Sequence, residues 1–333
     1  MFKRDSLQII AFQTYGTINR LYLRGRALED ESIDLEQKGA FKLLFNVWKR
    51  FETDEIKNTK LIVKLSNNEQ FLIETDRRGY FLFDKKIEDL LGFVNEEGWV
   101  NLEFSYKSEK LNRTIQSDNR FPGEMLIPSK NASFGVISDI DDTILHTGLV
   151  SILKWRVIIN TFLTSAGRRL ALEGTPEFYK LLHRGKTGKE ANPIFYVSHS
   201  PWNLYLYLEY FLKKNQFPKG PIILRSFPKP FSNKARGEKP QKQKEILNIL
   251  KTYPDLRFIL IGDSGEHDPY IYLEIAEDYP QNILAIYLRE VNHKTKMKQV
   301  KELFKNFKIA PMLLVESTNQ AIEHAKKNGF IQT

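Results

Sequence analysis

An apolar run at 134–137 stops at Ser138-Asp139-Ile140-Asp141-Asp142-Thr143-Ile144, and that junction limits what the chain can fold into. The run has the length of a short buried strand. Strand residues two apart share a face, so Asp139 and Asp141 start on one side. Like charges at a buried strand end repel, and they are costly to desolvate without a cation or a shared proton. In open α/β sheets, ligands sit in the crevice beyond the carboxyl ends of the strands. The junction therefore points to a parallel sheet with a metal-dependent site at its edge. Taken alone, an acidic pair at a turn is more often a solvated loop or a helix cap.

Three later segments, in chain order, change that balance. Ile194-Phe195-Tyr196-Val197-Ser198-His199-Ser200-Pro201-Trp202 is a second short β-rich run, and the residues after it predict a helix over 203–214. A hydroxyl between a strand and a helix N-terminus is well placed to hold a phosphoryl oxygen, with a plain serine cap as the alternative. Lys239-Pro240-Gln241-Lys242-Gln243-Lys244 opens a helix over 245–252, with Ile246, Leu247, Ile249 and Leu250 on its buried face. A lysine at a helix start opposes the macrodipole, so one of the three has another task while the others are surface. Phe258-Ile259-Leu260-Ile261 then reads as a strand buried on both faces, ending in Gly262-Asp263-Ser264-Gly265-Glu266-His267-Asp268-Pro269. Glycine allows a sharp turn there, and Asp268-Pro269 starts a helix to 277. Carboxylates at strand ends are the hard oxygen ligands that Mg²⁺ prefers.

The order Asp-x-Asp-x-Thr, strand-Ser, Lys, Gly-Asp-x-x-x-x-Asp resembles the haloacid dehalogenase superfamily of phosphotransferases. More narrowly, Ser-Asp-Ile-Asp-Asp-Thr-Ile, Val-Ser-His-Ser-Pro-Trp-Asn-Leu-Tyr and Leu-Ile-Gly-Asp-Ser-Gly-Glu-His-Asp-Pro resemble the catalytic domain of the actin-patch-type phosphatidate phosphatases, over residues 130–310. His199 departs from that pattern, which has Asn there. The resemblance implies a Rossmann-like domain with a small cap, and Mg²⁺-dependent hydrolysis of a phosphomonoester. Asp139 would be the nucleophile that forms an aspartyl-phosphate. Asp141 would be the general acid and then the base. Ser198 and Lys242 would hold the phosphoryl group, with Thr143 and His199 beside the substrate. Asp139, Asp141 and Asp263 would hold Mg²⁺, with Asp268 as a further ligand or support. Lys242 fits the family spacing, and Lys239 and Lys244 remain rivals. Phosphatidate is the substrate the resemblance implies. Another phosphorylated substrate, soluble or macromolecular, and a non-catalytic module for an anionic partner are the alternatives, because specificity lies in the surroundings of the motifs.

The remaining chain bounds this reading. At 333 residues it accommodates two domains, taken as 1–125 and 126–333. Segments at 7–13, 19–26, 60–65, 70–74, 80–84 and 100–106 alternate as short strands, and they look like a transthyretin-like all-β sandwich serving as an accessory domain. An apolar-periodic helix is expected at 40–51 and a polar linker at 108–130; the mixed apolar and basic residues at 149–166 read most simply as a core-packed helix with snorkelling cations, while the superfamily resemblance implies a short lid there. A net charge of +9 favours anionic partners, including a lipid surface, with nucleic acid the weakest of them. The lysines at 294, 296, 298, 301, 305 and 308 read most simply as a solvated helix face, with contact to an anionic surface as the alternative. There is no cysteine, so disulfides and thiolate chemistry are excluded. No run reaches transmembrane length, and the expected setting is the cytoplasm with peripheral contact to membranes.

Overall fold

The computed structural model describes residues 6–30, 56–107, 113–140, 174–225 and 239–332. Asp141, Thr143, the helix expected at 40–51 and the lid expected at 149–166 lie outside the described residues. Those described form two compact units, one running to Pro128 and the other starting at Ser129.

The first unit is all-β. Its strands are β1 (Ser6–Phe12), β2 (Thr14–Tyr15), β3 (Arg20–Asp30), β4 (Lys60–Lys64), β5 (Gln70–Glu74), β6 (Tyr80–Lys86), β7 (Trp99–Tyr106) and β8 (Phe121–Leu126). They form a three-stranded antiparallel sheet, β1-β3-β6, and a five-stranded sheet, β2-β8-β7-β4-β5, parallel only between β2 and β8. Alternate residues point inward, as the period of two requires. Val100, Leu102, Phe104 and Tyr106 of β7 meet Leu7 and Ile9 of β1 and Leu21 and Leu23 of β3 in one apolar cluster, so the two sheets share a core.

Strand β8 lies inside the stretch expected to be a linker. Pro122 and Gly123 conceal it in the sequence, and the fold accommodates both. β2 pairs only with Met125 and Leu126, so β8 is an edge at Pro122, where proline is tolerated. Phe104 of β7 lies over Gly123, and a Cβ there would fall 2.3 Å from the Phe104 ring.

The second unit adds β9 (Gly135–Asp139), α1 (Thr175–Arg184), β10 (Ile194–Pro201), α2 (Tyr205–Lys214), β11 (Ile222–Arg225), α3 (Gln241–Thr252), β12 (Phe258–Asp263), α4 (Asp268–Asp278), β13 (Ile283–Arg289), α5 (Lys294–Leu303), β14 (Met312–Val315) and α6 (Thr318–Lys327). Its six strands are all parallel, in the order β11-β10-β9-β12-β13-β14. Counted from β9 this is 3-2-1-4-5-6, the doubly wound order, whose switch point lies between the first and fourth strands. Every residue of β9 and β12 is buried, as expected of central parallel strands.

The helices start where the motifs predicted, with small shifts. A single 3-10 turn, Trp202–Leu204, precedes α2, and α3 begins four residues earlier than its apolar periodicity suggested. Helix α1 has Gly174 at its cap, at φ +77°, with Thr175 as its first helical residue. The cap position takes a left-handed backbone, which glycine adopts without strain.

Candidate active site

The carboxyl ends of β9, β10 and β12 meet at the switch point. Strand register places Ser138 opposite Ile261 and Asp139 opposite Val197. Asp139 therefore closes β9 beside Gly262-Asp263 of β12 on one flank and Ser198 of β10 on the other. Asp139 and Asp263 are each 1% exposed and Ser198 is 3% exposed. Such burial argues against a solvated acidic turn.

Lys242 reaches this point from the first turn of α3. It is 2% exposed, and its Nζ lies 2.6 Å from Asp139 Oδ1. The same ammonium donates to Asp268 Oδ1, at the start of α4. Asp268, also 1% exposed, accepts with its other oxygen from the Asp263 N–H at 3.3 Å. Burial alone would lower the lysine pKa. The charges of Asp139 and Asp268, with their hydrogen bonds, outweigh burial and hold the ammonium above its ordinary value. Of the three lysines the sequence left open, Lys242 is thus the one at Asp139. Lys239 pairs instead with Glu274 at 2.7 Å and Asp278 at 3.1 Å on the outside of α4.

Backbone hydrogen bonds fix the rest. Asp263 Oδ1 accepts from the Gly265 N–H at 2.6 Å. The Ser200 N–H donates to Ser198 Oγ at 2.9 Å, which orients the hydroxyl. His199 is only partly buried. Sequence reasoning missed two tyrosines that brace the centre. Tyr179 of α1 meets Ser138 Oγ at 2.5 Å, and Ser138 Oγ donates to the Asp139 carbonyl at 2.8 Å. Tyr272 of α4 donates to the Ile261 carbonyl at 2.9 Å. Burial pushes both phenols well above their ordinary range, so they act as neutral hydrogen-bonding groups. A tyrosine on an apolar helix face carries no sequence signal that separates it from ordinary core. Trp202, Tyr205 and Phe211, in the turn and helix after β10, are likewise buried core.

Gly262 has no room for a side chain. A Cβ there would stand 2.5 Å from Asp268 Oδ2, 2.7 Å from Tyr272 Cε2 and 2.9 Å from the Tyr272 hydroxyl. Gly262→Ala is expected to destabilise by about 1–3 kcal/mol through overpacking and, by displacing Asp268 from Lys242, to lower any activity of the centre. Thermal melting and a rate assay on the purified variant check this, and an unchanged melting point together with an unchanged rate would contradict it. A cavity of about 600 Å³ opens beside Gly262, with Phe178, Tyr179, Tyr287 and Val315 as apolar wall and Arg289 at its polar side.

Among the described residues, no group of three or more His, Asp and Glu side chains converges tightly enough to hold a metal ion. Both oxygens of Asp268 are engaged, one by Lys242 and the other by the Asp263 backbone N–H.

A doubly wound parallel sheet with an aspartate–lysine–aspartate cluster at its switch point defines an α/β protein with a buried ionic centre at the β9/β12 crevice. Residues 134–290, the span that contains this cluster, match the family described as "Phosphatidate phosphatase APP1, catalytic domain". Residues 134–290 belong to this APP1-type catalytic-domain family. The chain is 31% identical to Phosphatidate phosphatase APP1 of Saccharomyces cerevisiae over 249 residues, which is 72% of this chain and 39% of that protein. It is 27% identical to Uncharacterized protein C29B5.04c of Schizosaccharomyces pombe over 266 residues, 79% of this chain and 40% of that one. The chain thus spans about two fifths of the length of these relatives.

Proposed function

We propose that the chain hydrolyses a phosphomonoester at Asp139, with phosphatidate as substrate and diacylglycerol and phosphate as products. The observation that carries this reading is the buried Lys242 ammonium held between Asp139 and Asp268 at the switch point. Phosphoryl transfer needs positioning and electrostatic stabilisation more than covalent machinery, and this cluster supplies both.

An Asp139 oxygen attacks phosphorus. The Asp139–phosphorus bond forms as the phosphorus–glycerol oxygen bond breaks, and the leaving oxygen takes a proton from Asp141. Asp141 then removes a proton from water, which attacks phosphorus, releases phosphate and restores the carboxylate. Lys242 orients Asp139 through Oδ1 and offsets negative charge on the phosphoryl oxygens. Ser198 donates to one of those oxygens, and Thr143 and His199 contribute to binding the substrate.

The donor chemistry fits a hard divalent cation, because buried carboxylates gather here and the chain has no cysteine thiolate. Asp139, Asp263 and Asp141 would hold Mg²⁺, which when bound supplies positive charge to the phosphoryl oxygens. Asp268 serves better as the anchor of Lys242 than as a ligand. In this reading the second unit is a haloacid dehalogenase-type domain with a small cap. The all-β unit is a transthyretin-like accessory domain, and the protein works in the cytoplasm at membrane surfaces.

The test is phosphate release from phosphatidate in mixed micelles, sugar and nucleotide monophosphates and a phosphopeptide, each with Mg²⁺ or EDTA. Release is expected to be greatest from phosphatidate, to stop in EDTA and to return with excess Mg²⁺. Release only from soluble substrates would discard the lipid assignment, and release unaffected by EDTA would discard the metal. No release from any of them would overturn the enzyme reading.

A further inference from the structure

The solvent face of α5 carries a row of lysines that the chemistry above does not use. Lys294, Lys298, Lys301, Lys305 and Lys308 follow one another at steps of four, three, four and three residues. For Lys294, Lys298 and Lys301, which lie within α5, that spacing keeps the side chains on one face of the helix, and Lys305 and Lys308 follow in the turn and loop after it. All five are exposed, whereas Met297, Val300 and Phe304 between them are buried. The row runs the length of α5, Lys305 and Lys308 lying just beyond its last residue, Leu303. Lys301 lies 3.4 Å from Glu290 and Lys305 lies 3.2 Å from Glu302. Both lysines are 64% exposed, so these pairs are weak and leave the row strongly cationic.

The row begins beside the carboxylate centre. Buried Met297 Sδ is 3.6 Å from Ser264 Oγ, and Lys296 Nζ donates to the Gly265 carbonyl. The Gly265 N–H is the group that donates to Asp263 Oδ1. The helix that presents the lysines is thus packed on the loop that positions Asp263.

We propose that this lysine row is a docking surface for a bilayer carrying anionic headgroups, and that it seats the β9/β12 crevice on the layer that holds the substrate. The second half rests on the phosphatidate reading; the docking itself does not. Clustered lysines attract an anionic leaflet through its surface potential, each adding a similar increment that fades within a Debye length. Nucleic acid is the poorer fit. Single-strand binding combines cationic grooves with aromatic stacking platforms, and no aromatic residue occurs in α5.

The experiment uses the full chain and sedimentation with phosphatidylcholine vesicles, with and without phosphatidylserine. The variant is Lys294→Gln/Lys298→Gln/Lys301→Gln/Lys305→Gln. It leaves Lys296 in place because that side chain supports Gly265. A control removes the same charge elsewhere through Lys213→Gln/Lys214→Gln/Lys251→Gln/Lys327→Gln, and circular dichroism checks both folds. Wild type and control are expected to bind only the phosphatidylserine vesicles, and less so as salt rises. The row variant is expected to bind at least about thirtyfold more weakly. Its phosphate release from vesicular phosphatidate should fall, while release from a short-chain soluble phosphatidate should hold.

If the wild type releases no phosphate yet binds vesicles through this row, the docking surface stands and the phosphatidate reading falls. Equal binding by the row variant and the control would overturn the docking surface. So would failure of the wild type to bind phosphatidylserine vesicles, or a preference for oligonucleotides over them.

Discussion

Replacing Lys242 with methionine is expected to destabilise the second unit by about 3–5 kcal/mol and to lower phosphate release at least about 10²-fold. The side chain is buried and its one ammonium serves two buried carboxylates, Asp139 and Asp268. Methionine fills a similar volume but leaves both carboxylates facing each other without that cation. Removing one partner of a buried ion pair is far more harmful than replacing the whole pair, because the remaining charge keeps its desolvation penalty. The double variant Lys242→Met/Asp268→Asn is therefore expected to recover much of the lost stability and none of the activity.

The pH dependence of this contribution has a definite sign. The ammonium is held above its ordinary value in the fold. Its stabilisation is complete below the unfolded lysine value, about 10.4, and is lost only as the pH rises through the raised folded value. Urea midpoints for the three proteins at neutral pH provide the check. A Lys242→Met midpoint equal to that of wild type would show that the ammonium is not what balances the carboxylates.

Much of the second unit was legible because its signals are local. Each apolar run of four residues ends abruptly in Ser or Gly, and the runs at 134–137, 194–197 and 258–261 became adjacent strands of one sheet. Asp139, Ser198 and Asp263, which the structure gathers at the switch point, stood out in the sequence because the carboxyl edge of a parallel sheet is confined to the residue or two at each strand end. What brought Lys242 to Asp139 was less readable. α3 starts at Gln241, and only the register of its first turn separates Lys242 from the outward-facing Lys239. Tyr179 escaped because its partner, Ser138, lies on the opposite face of β9 from Asp139, where a tyrosine reads as packing. In the first unit, strands with regular alternation were visible, whereas β8 was not. Its Pro122 and Gly123 are tolerated only because of where β2 stops and where the Phe104 ring lies, facts of tertiary structure with no local trace.

Asp139→Asn is expected to abolish activity while leaving the fold nearly intact, a contrast with Lys242→Met that separates chemistry from architecture. The amide has the size of the carboxylate, and its oxygen can still accept from Lys242 Nζ, which lies 2.6 Å from Asp139 Oδ1 in the native protein. Lys242 also keeps Asp268 as its anionic partner. Two carboxylates sharing one ammonium become one carboxylate with one ammonium, a balanced pair, so the urea midpoint should shift little in either direction. An amide is a poor nucleophile toward phosphorus, and no other carboxylate among the described residues occupies the end of β9. Phosphate release should therefore fall at least about 10³-fold, the scale seen when a covalent nucleophile is removed. Wild-type protein quenched in acid during turnover of radiolabelled substrate should carry hydroxylamine-sensitive phosphate, and Asp139→Asn should carry none. A variant that kept a substantial fraction of the wild-type rate, or that still trapped label, would assign the nucleophile to another residue. A variant that lost activity only because it unfolded would show the same urea profile as Lys242→Met, and that comparison is what makes the two substitutions informative together.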